Sequence, residues 1–160
     1  SLGLSSIVIA IVPYISEQIK NNQLLRARNY IKLASRLSLL IGSIAFFSIY
    51  FIAPYFFNIY QSDLFDINII GLHLICLASF VNLLSGPSGA VLLASNNLKP
   101  LMYSQVSAVI VNIVLNIIFI PNHGLTGAAT ATLISHVYLN ILLYYFSVKL
   151  VKINPTAFGK

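Results

Sequence analysis

The chain of 160 residues carries nine Lys or Arg and three Asp or Glu, so 8% of its residues are charged, against about 25% in an ordinary soluble domain. Hydrophobic residues make up 58% of the sequence, more than a globule of 17.6 kDa can hide from water. The composition therefore excludes a soluble domain and indicates a protein that spans a lipid bilayer. The single cysteine, Cys76, excludes an internal disulfide and a multi-cysteine metal site.

The charged residues separate four uncharged stretches that are 16, 26, 32 and 49 residues long. A membrane-spanning helix needs about 20 apolar residues, so the longest stretch has room for two. It divides at Pro121-Asn122-His123-Gly124, because proline cannot continue a helix and glycine accepts positive φ. The apolar runs are continuous and do not alternate, which predicts helices and not barrel strands. We therefore predict an all-α polytopic membrane helix bundle with five spans, at about 1–16, 37–60, 67–84, 100–120 and 125–148.

The basic residues predict how the spans are oriented, because Lys and Arg concentrate in short cytoplasmic loops. The connection 17–36 carries five basic residues, the third connection carries Lys99, and the tail 149–160 carries three, which accounts for all nine. The loop between the second and third spans carries only Asp63 and Asp66. All basic residues therefore lie in alternate connections, on one side of the membrane. This predicts that the first span runs inward and that the basic loop and the tail are both cytoplasmic.

The basic connection has a pattern of its own. Apolar residues at helical spacing, beginning at Leu24 and Ala27, run beside the line Arg28, Lys32 and Arg36. Two interpretations stay open: a basic helix that lies on the inner leaflet, where each basic residue contributes about 1 kcal/mol, or an ordinary solvated loop. The residues that we expect to contact lipid or to attract an anionic substrate at the cytoplasmic mouth are Arg26, Arg28 and Lys32.

Polar residues inside the predicted spans are candidates for lining a transport pathway. None of them is Lys, Arg, Asp or Glu, which argues against paired carboxylates or a charged proton relay in this part of the protein. His136 lies about eleven residues into its span, near the bilayer midplane, and is the first choice. Hydrogen bonding to a neighbouring helix is the structural alternative for each. The candidates are His73, Asn82, Asn112, Asn116, His136 and Asn140, and the last four form two pairs spaced four apart.

Further motifs concern movement and chemistry. Gly86 and Pro87 interrupt the third uncharged stretch and are a candidate hinge, with a plain helix end as the alternative. No nucleophile elbow, phosphate-binding glycine loop or Cys/His cluster is present in the sequence, so we expect no enzyme, no cofactor and no metal. The positive charge follows the loops, so nucleic acid is not an expected partner.

Two segments resemble known transporters. Residues 84–95 read LSGPSGAVLLAS, and residues 112–135 read NIVLNIIFIPNHGLTGAATATLIS. The second segment is similar to the penultimate and last core spans of the bacterial O-antigen and polysaccharide flippase family. That family belongs to the superfamily that also contains multidrug and toxin extrusion proteins and the lipid II flippase. The run VPYISE at 12–17, followed by a basic loop, resembles the inward end of the family's eighth span.

The resemblance implies a fold and a function. Family members have twelve or more helices in two lobes, so the five spans would form most of the C-terminal lobe. Because the chain opens on Ser1 within an apolar run, we expect it to be a piece of a longer protein that lacks its N-terminal lobe. The implied function is a flippase that moves undecaprenyl-diphosphate-linked oligosaccharide across the bacterial inner membrane by alternating access, without making or breaking a bond.

The implied partners are the lipid-linked oligosaccharide, membrane lipids and the missing lobe, in which we expect the residues that bind the diphosphate. A coupling ion, H⁺ or Na⁺, stays open. The alternatives are a cation-coupled multidrug exporter of the same superfamily, a membrane-embedded sugar-processing enzyme and a membrane subunit that does not transport. The exporter usually needs an acidic cation site, and the predicted spans contain no carboxylate.

Overall fold

The computed structural model describes residues 2–21, 23–59, 65–84 and 87–156, and every regular element among them is helical. This confirms the predicted all-α class. A turn of π-helix at Ser147–Val151 ends the last helix, and residues 152–156 follow as an irregular tail. The helices are α1 (Leu2–Lys20), α2 (Leu24–Ile59), α3 (Phe65–Leu84), α4 (Ser88–Ala94) and α5 (Leu98–Phe146).

Length and apolar composition identify the helices that could cross a membrane. Two segments among the described residues qualify, Leu24–Ala53 and Leu98–Val151. A third is added if Ile69–Leu83 and Ser88–Ala94, which meet at an angle of 44°, form one broken span. The outward surfaces of these helices are apolar: large side chains such as Ile44, Phe51 and Ile117 are more than 60% exposed. Such a surface is stable in lipid and not in water, so the chain is a membrane protein.

Helix α2 differs from both interpretations of the basic connection. It runs without a break from Leu24 to Ile59, so the basic segment is the first third of a long helix and not a separate loop or surface helix. Arg and Lys are good helix formers, and a change from apolar to charged residues does not end the backbone hydrogen bonding. Ala27 and Ile31 are fully buried, against protein, whereas Leu24 is exposed.

Helix α5 is a hairpin of two arms, 98–123 and 125–146. Leu101 and Leu143 each place a Cδ1 atom within 4 Å of the Cβ position of Gly89, although 42 residues of straight helix would separate them by about 63 Å. The fold reverses at Gly124, the one non-helical residue inside the element, with φ 53° and ψ −128°. These angles are those of the first central residue of a type II′ turn, where glycine is favoured. The reversal lies within the predicted turn 121–124.

Helix α3 packs between α2 and the hairpin. On one side Leu83 lies against Gly42, and the rings of Phe46 and Phe80 are 5.1 Å apart. On the other side Gly71 faces Leu125 in the second arm. Small residues allow such close approach between helices when no water is available to drive association.

The tail returns to the bundle after α5. Ile153 is fully buried and packs with Ile15, Ile31 and Val91, so one cluster joins α1, α2, α4 and the tail. Ser35 Oγ lies 2.6 Å from the carbonyl oxygen of Pro155 and can donate its hydrogen to it. We call the end of the bundle that contains this cluster the basic end, because the basic part of α2 and Lys152 lie there.

Candidate functional site

The α5 hairpin carries four of the six polar candidates, two on each arm. Asn112 lies twelve residues before Gly124 and His136 lies twelve after it, so both are about 18 Å from the turn along their arms. Asn116 Nδ2 donates to Asn112 Oδ1 at 2.9 Å, which places both amides on one face of the first arm. Asn140 Nδ2 donates to the His136 carbonyl oxygen at 2.8 Å, one turn along the second arm. The hairpin therefore carries a polar pair on each arm.

The hydrogen bonds around His136 fix how its ring can act. Its Nδ1 atom lies 3.0 Å from the carbonyl oxygen of Thr132, and the side chain is half-buried. A carbonyl oxygen only accepts, so the neutral imidazole that makes this bond carries its hydrogen on Nδ1. Nε2 is then an acceptor. His136 Nε2 can thus accept a hydrogen bond from a hydroxyl group.

Three buried polar atoms have no hydrogen-bond partner among the described residues: Gln18 Oε1, His73 Nε2 and Asn116 Oδ1. A buried acceptor or donor without a partner costs about 1–3 kcal/mol, so each needs a compensating role. Asn116 Oδ1 is an acceptor next to the Asn112 amide. Among the described residues it is an unpaired acceptor on the first arm, whereas His136 Nε2 is on the second.

The remaining polar candidates lie outside the hairpin. His73 on α3 packs against Tyr50 of α2 with ring centroids 4.6 Å apart. Asn82, also on α3, is half-buried and has an interaction partner within the fold. Neither residue is brought to the polar pairs of α5 by any described contact, and a role for them in a pathway stays a prediction.

The candidate hinge is described only in part. Gly86 lies outside the described residues. Pro87 is buried, directly precedes α4 and has φ −77° and ψ 44°, so α3 and α4 do not continue as one helix through it. Ser147 Oγ donates to the Ser88 carbonyl oxygen at 2.9 Å and anchors the start of α4 to the end of α5. Whether the break moves stays a prediction.

The three basic candidates have different surroundings. Arg26 is exposed and its Nη1 donates to Gln23 Oε1 at 3.0 Å, while Lys32 is half-buried. Arg28 is exposed, and its Nη2 donates to the carbonyl oxygen of Lys152 at 2.8 Å. Nothing in the sequence indicates this contact, because the partner is a backbone atom 124 residues away. Lys152 has a positive φ of 56°, which turns the chain toward α2. A lysine in the sequence does not predict positive φ, because this conformation is uncommon for residues other than glycine.

Among the described residues, no group of three His, Cys, Asp or Glu lies close enough together to hold a metal ion. The arrangement of α5 instead offers uncharged amide and imidazole groups at mid-depth in an apolar bundle. Groups of this kind orient a polar solute through hydrogen bonds and do not neutralise a charge.

Comparison with known proteins gives one informative likeness. No family model matches the sequence, and no curated protein matches it. A solved structure described as the inward-facing conformation of a multidrug resistance MATE family transporter of the MOP superfamily is similar, with a TM-score of 0.79 and 19% sequence identity. The likeness covers 96% of this chain and 36% of that chain, so the chain spans about a third of the length of the transporter. At this identity the likeness concerns the fold. The chain is therefore a membrane helix bundle whose fold is similar to that of about a third of the solved structure.

Proposed function

We propose that the chain forms most of the C-terminal lobe of a flippase that moves undecaprenyl-diphosphate-linked oligosaccharide across the bacterial inner membrane by alternating access. The observation that carries the proposal of transport is the fold likeness to a MOP superfamily transporter over nearly the whole chain. The substrate class rests on the resemblance of residues 84–95 and 112–135 to polysaccharide flippases. In such a transporter the two lobes rock about a central site while the lipid tail stays in the bilayer.

The polar groups of α5 suit a sugar. Sugar hydroxyls are donors and acceptors, and the hairpin offers an acceptor at His136 Nε2 and a buried acceptor without a partner at Asn116 Oδ1. These groups would orient the oligosaccharide and release it again, because hydrogen bonds to neutral groups are individually weak.

The diphosphate requires cations, and the predicted spans contain none. We therefore assign diphosphate binding to the rest of the protein. Arg26, Arg28 and Lys32 lie at the basic end, where they would raise the local concentration of an anionic substrate before it enters.

A cation-coupled multidrug exporter is the second candidate, because the similar structure is described as a multidrug resistance transporter. Its cation site would have to come from elsewhere in the protein, since the acidic residues Glu17, Asp63 and Asp66 all lie outside the predicted spans. This distribution favours the flippase.

The test uses the full-length protein that contains this chain. Expressed in a strain that lacks its polysaccharide flippase, the protein should restore surface polysaccharide. Expressed in a drug-sensitive strain, it should leave drug tolerance unchanged. His136→Ala should lower polysaccharide export several-fold, whereas His123→Ala, at an exposed histidine of the α5 turn, should not. A gain of drug tolerance without surface polysaccharide would favour the exporter. The absence of both effects would contradict both the flippase and the exporter.

A further inference from the structure

The surface of α2 carries a shallow apolar groove that continues into a line of basic residues. Two rows of every fourth residue form its walls, as is usual for the ridges of an α-helix. The first row is Leu40, Ile44, Ser48 and Ile52, and the second is Ser43, Phe47 and Phe51. Continued toward the basic end in steps of four, the first row becomes Arg36, Lys32 and Arg28.

This row lies away from the contacts that α2 makes with α3. Those contacts use Gly42, Phe46 and Tyr50. Each of these residues follows a member of the first row by two positions along α2. Two residues along an α-helix are about 200° apart around its axis, which is nearly the opposite side. Leu40 is 63% exposed and Ile44 is 68% exposed, so the groove is open.

The length of α2 sets the depth of each part. The helix has 36 residues and is about 54 Å long, whereas the hydrocarbon core of a bilayer is about 30 Å thick. The uncharged part begins at Leu37, directly after Arg36. With that boundary at the edge of the hydrocarbon, Arg36 and Lys32 lie within the headgroup layer, which is about 5–8 Å deep. Arg28, a further 6 Å or so along the helix, lies beyond that layer and contacts the tail instead.

We infer that the basic part of this row and the groove together bind one anionic phospholipid, with the phosphate at Lys32 and Arg36 and an acyl chain along Leu40, Ile44 and Phe47. The shape and charge of the surface match such a lipid: cations at headgroup depth, directly continuous with an exposed apolar channel at acyl-chain depth. A helix that packed on this surface would not require the cations. The basic part of α2 contains no carboxylate of its own, because the one acidic residue of the segment 17–36 is Glu17, on α1. Leu33, 56% exposed between the basic residues, extends the apolar contact to the interface.

This inference is independent of what the protein transports. It assigns Lys32 a lipid headgroup, which is a different ligand from the diphosphate of a transported substrate. The test is therefore a binding measurement and not a transport assay.

The experiment uses native mass spectrometry of the purified full-length protein with equal amounts of phosphatidylglycerol and phosphatidylcholine that have the same acyl chains. The wild type should prefer phosphatidylglycerol. Each basic residue at an anionic headgroup corresponds to about a fivefold change in binding, so Lys32→Gln/Arg36→Gln should lower the preference at least about fivefold. The matched control, Lys99→Gln/Lys149→Gln, removes the same charge from exposed positions that do not continue into the groove of α2, and it should lower the preference by less than Lys32→Gln/Arg36→Gln does. Equal effects in the two variants, or no effect in the first, would overturn the proposal.

Two further measurements control for misfolding of the double variant and for binding through the headgroup alone. Lys32→Arg/Arg36→Lys keeps both charges and should keep the preference, and a loss in this variant would contradict the charge argument. Glycerophosphoglycerol has the headgroup without acyl chains and should fail to displace phosphatidylglycerol at equal concentration. Effective competition by it would show that the groove plays no part and would overturn the inference.

Discussion

The guanidinium of Arg28 donates a hydrogen bond of 2.8 Å to the backbone carbonyl of Lys152, and the two residues are 124 positions apart. The contact joins the basic part of α2 to the tail that follows α5. These are the two segments in which the sequence places most of its basic residues. Their meeting at one end of the bundle agrees with the charge pattern, which assigns both segments to the cytoplasmic side.

Side-specific labelling tests this arrangement in cells. In a background with Cys76→Ser, cysteines placed at Leu25 and Lys152 should react with a membrane-impermeant maleimide only after the inner face is opened. A cysteine at Asp63 should react in intact cells, because the charge pattern places that loop outside. Labelling of positions 25 and 152 from opposite faces would contradict the five-span topology.

The tail should stabilise the basic end. Ile153 is fully buried among residues of three helices, so Ile153→Ala should lower the free energy of unfolding by about 2–5 kcal/mol. Ser35→Ala removes the hydrogen bond to Pro155 and should cost about 1 kcal/mol. The control Ser48→Ala, at an exposed serine, should change stability by less than about 0.5 kcal/mol. Thermal unfolding of the purified full-length protein measures all three, and equal melting temperatures for Ile153→Ala and Ser48→Ala would show that the tail is not part of the core.

Three glycines on and near α5 should respond differently to alanine. At Gly124 no atom lies within 4 Å of an added Cβ, but φ is 53°, so Gly124→Ala should cost about 1–3 kcal/mol through backbone strain alone. At Gly127 the added Cβ overlaps the carbonyl group of Phe119 on the other arm, so Gly127→Ala should force the arms apart and cost more. Gly89→Ala meets only ordinary contacts, the nearest at 3.7 Å to Leu101, and serves as the control. A melting temperature for Gly127→Ala equal to that of Gly89→Ala would contradict the close approach of the two arms.

A substitution at Asn116 distinguishes a structural role of this residue from a role in transport. Its Oδ1 atom is buried without a hydrogen-bond partner among the described residues, so Asn116→Leu removes a desolvation penalty, but it also removes the hydrogen bond to Asn112 Oδ1. Because these two effects have opposite signs, the melting temperature should change little. If the amide orients the substrate, the same variant should lower the flipping rate in proteoliposomes several-fold. Leu115→Ile on the same helix is the control for packing. A lower melting temperature with normal flipping would show that Asn116 serves only the packing of the fold.

Sequence and structure differ most instructively at α2. Charge spacing places a boundary near Leu37, yet the helix begins at Leu24, because charges mark where lipid ends and not where backbone hydrogen bonding ends. The burial of Ala27 and Ile31 follows from their helical spacing, but the spacing does not say whether lipid or protein covers them. Their cover comes from α1, α4 and the tail.

The sequence by itself determined the membrane, the all-helical class and the reversal at 121–124. These follow from local physics: lipid requires long apolar helices, and proline with glycine permits a turn. Only the tertiary structure decided that Ile153 closes the basic end and that Arg28 binds the Lys152 carbonyl. It also decided that the buried Asn116 Oδ1 has no hydrogen-bond partner among the residues that the structure describes. Each of these depends on groups far apart along the chain, and local spacing carries no information about which distant surfaces will meet when the helices pack.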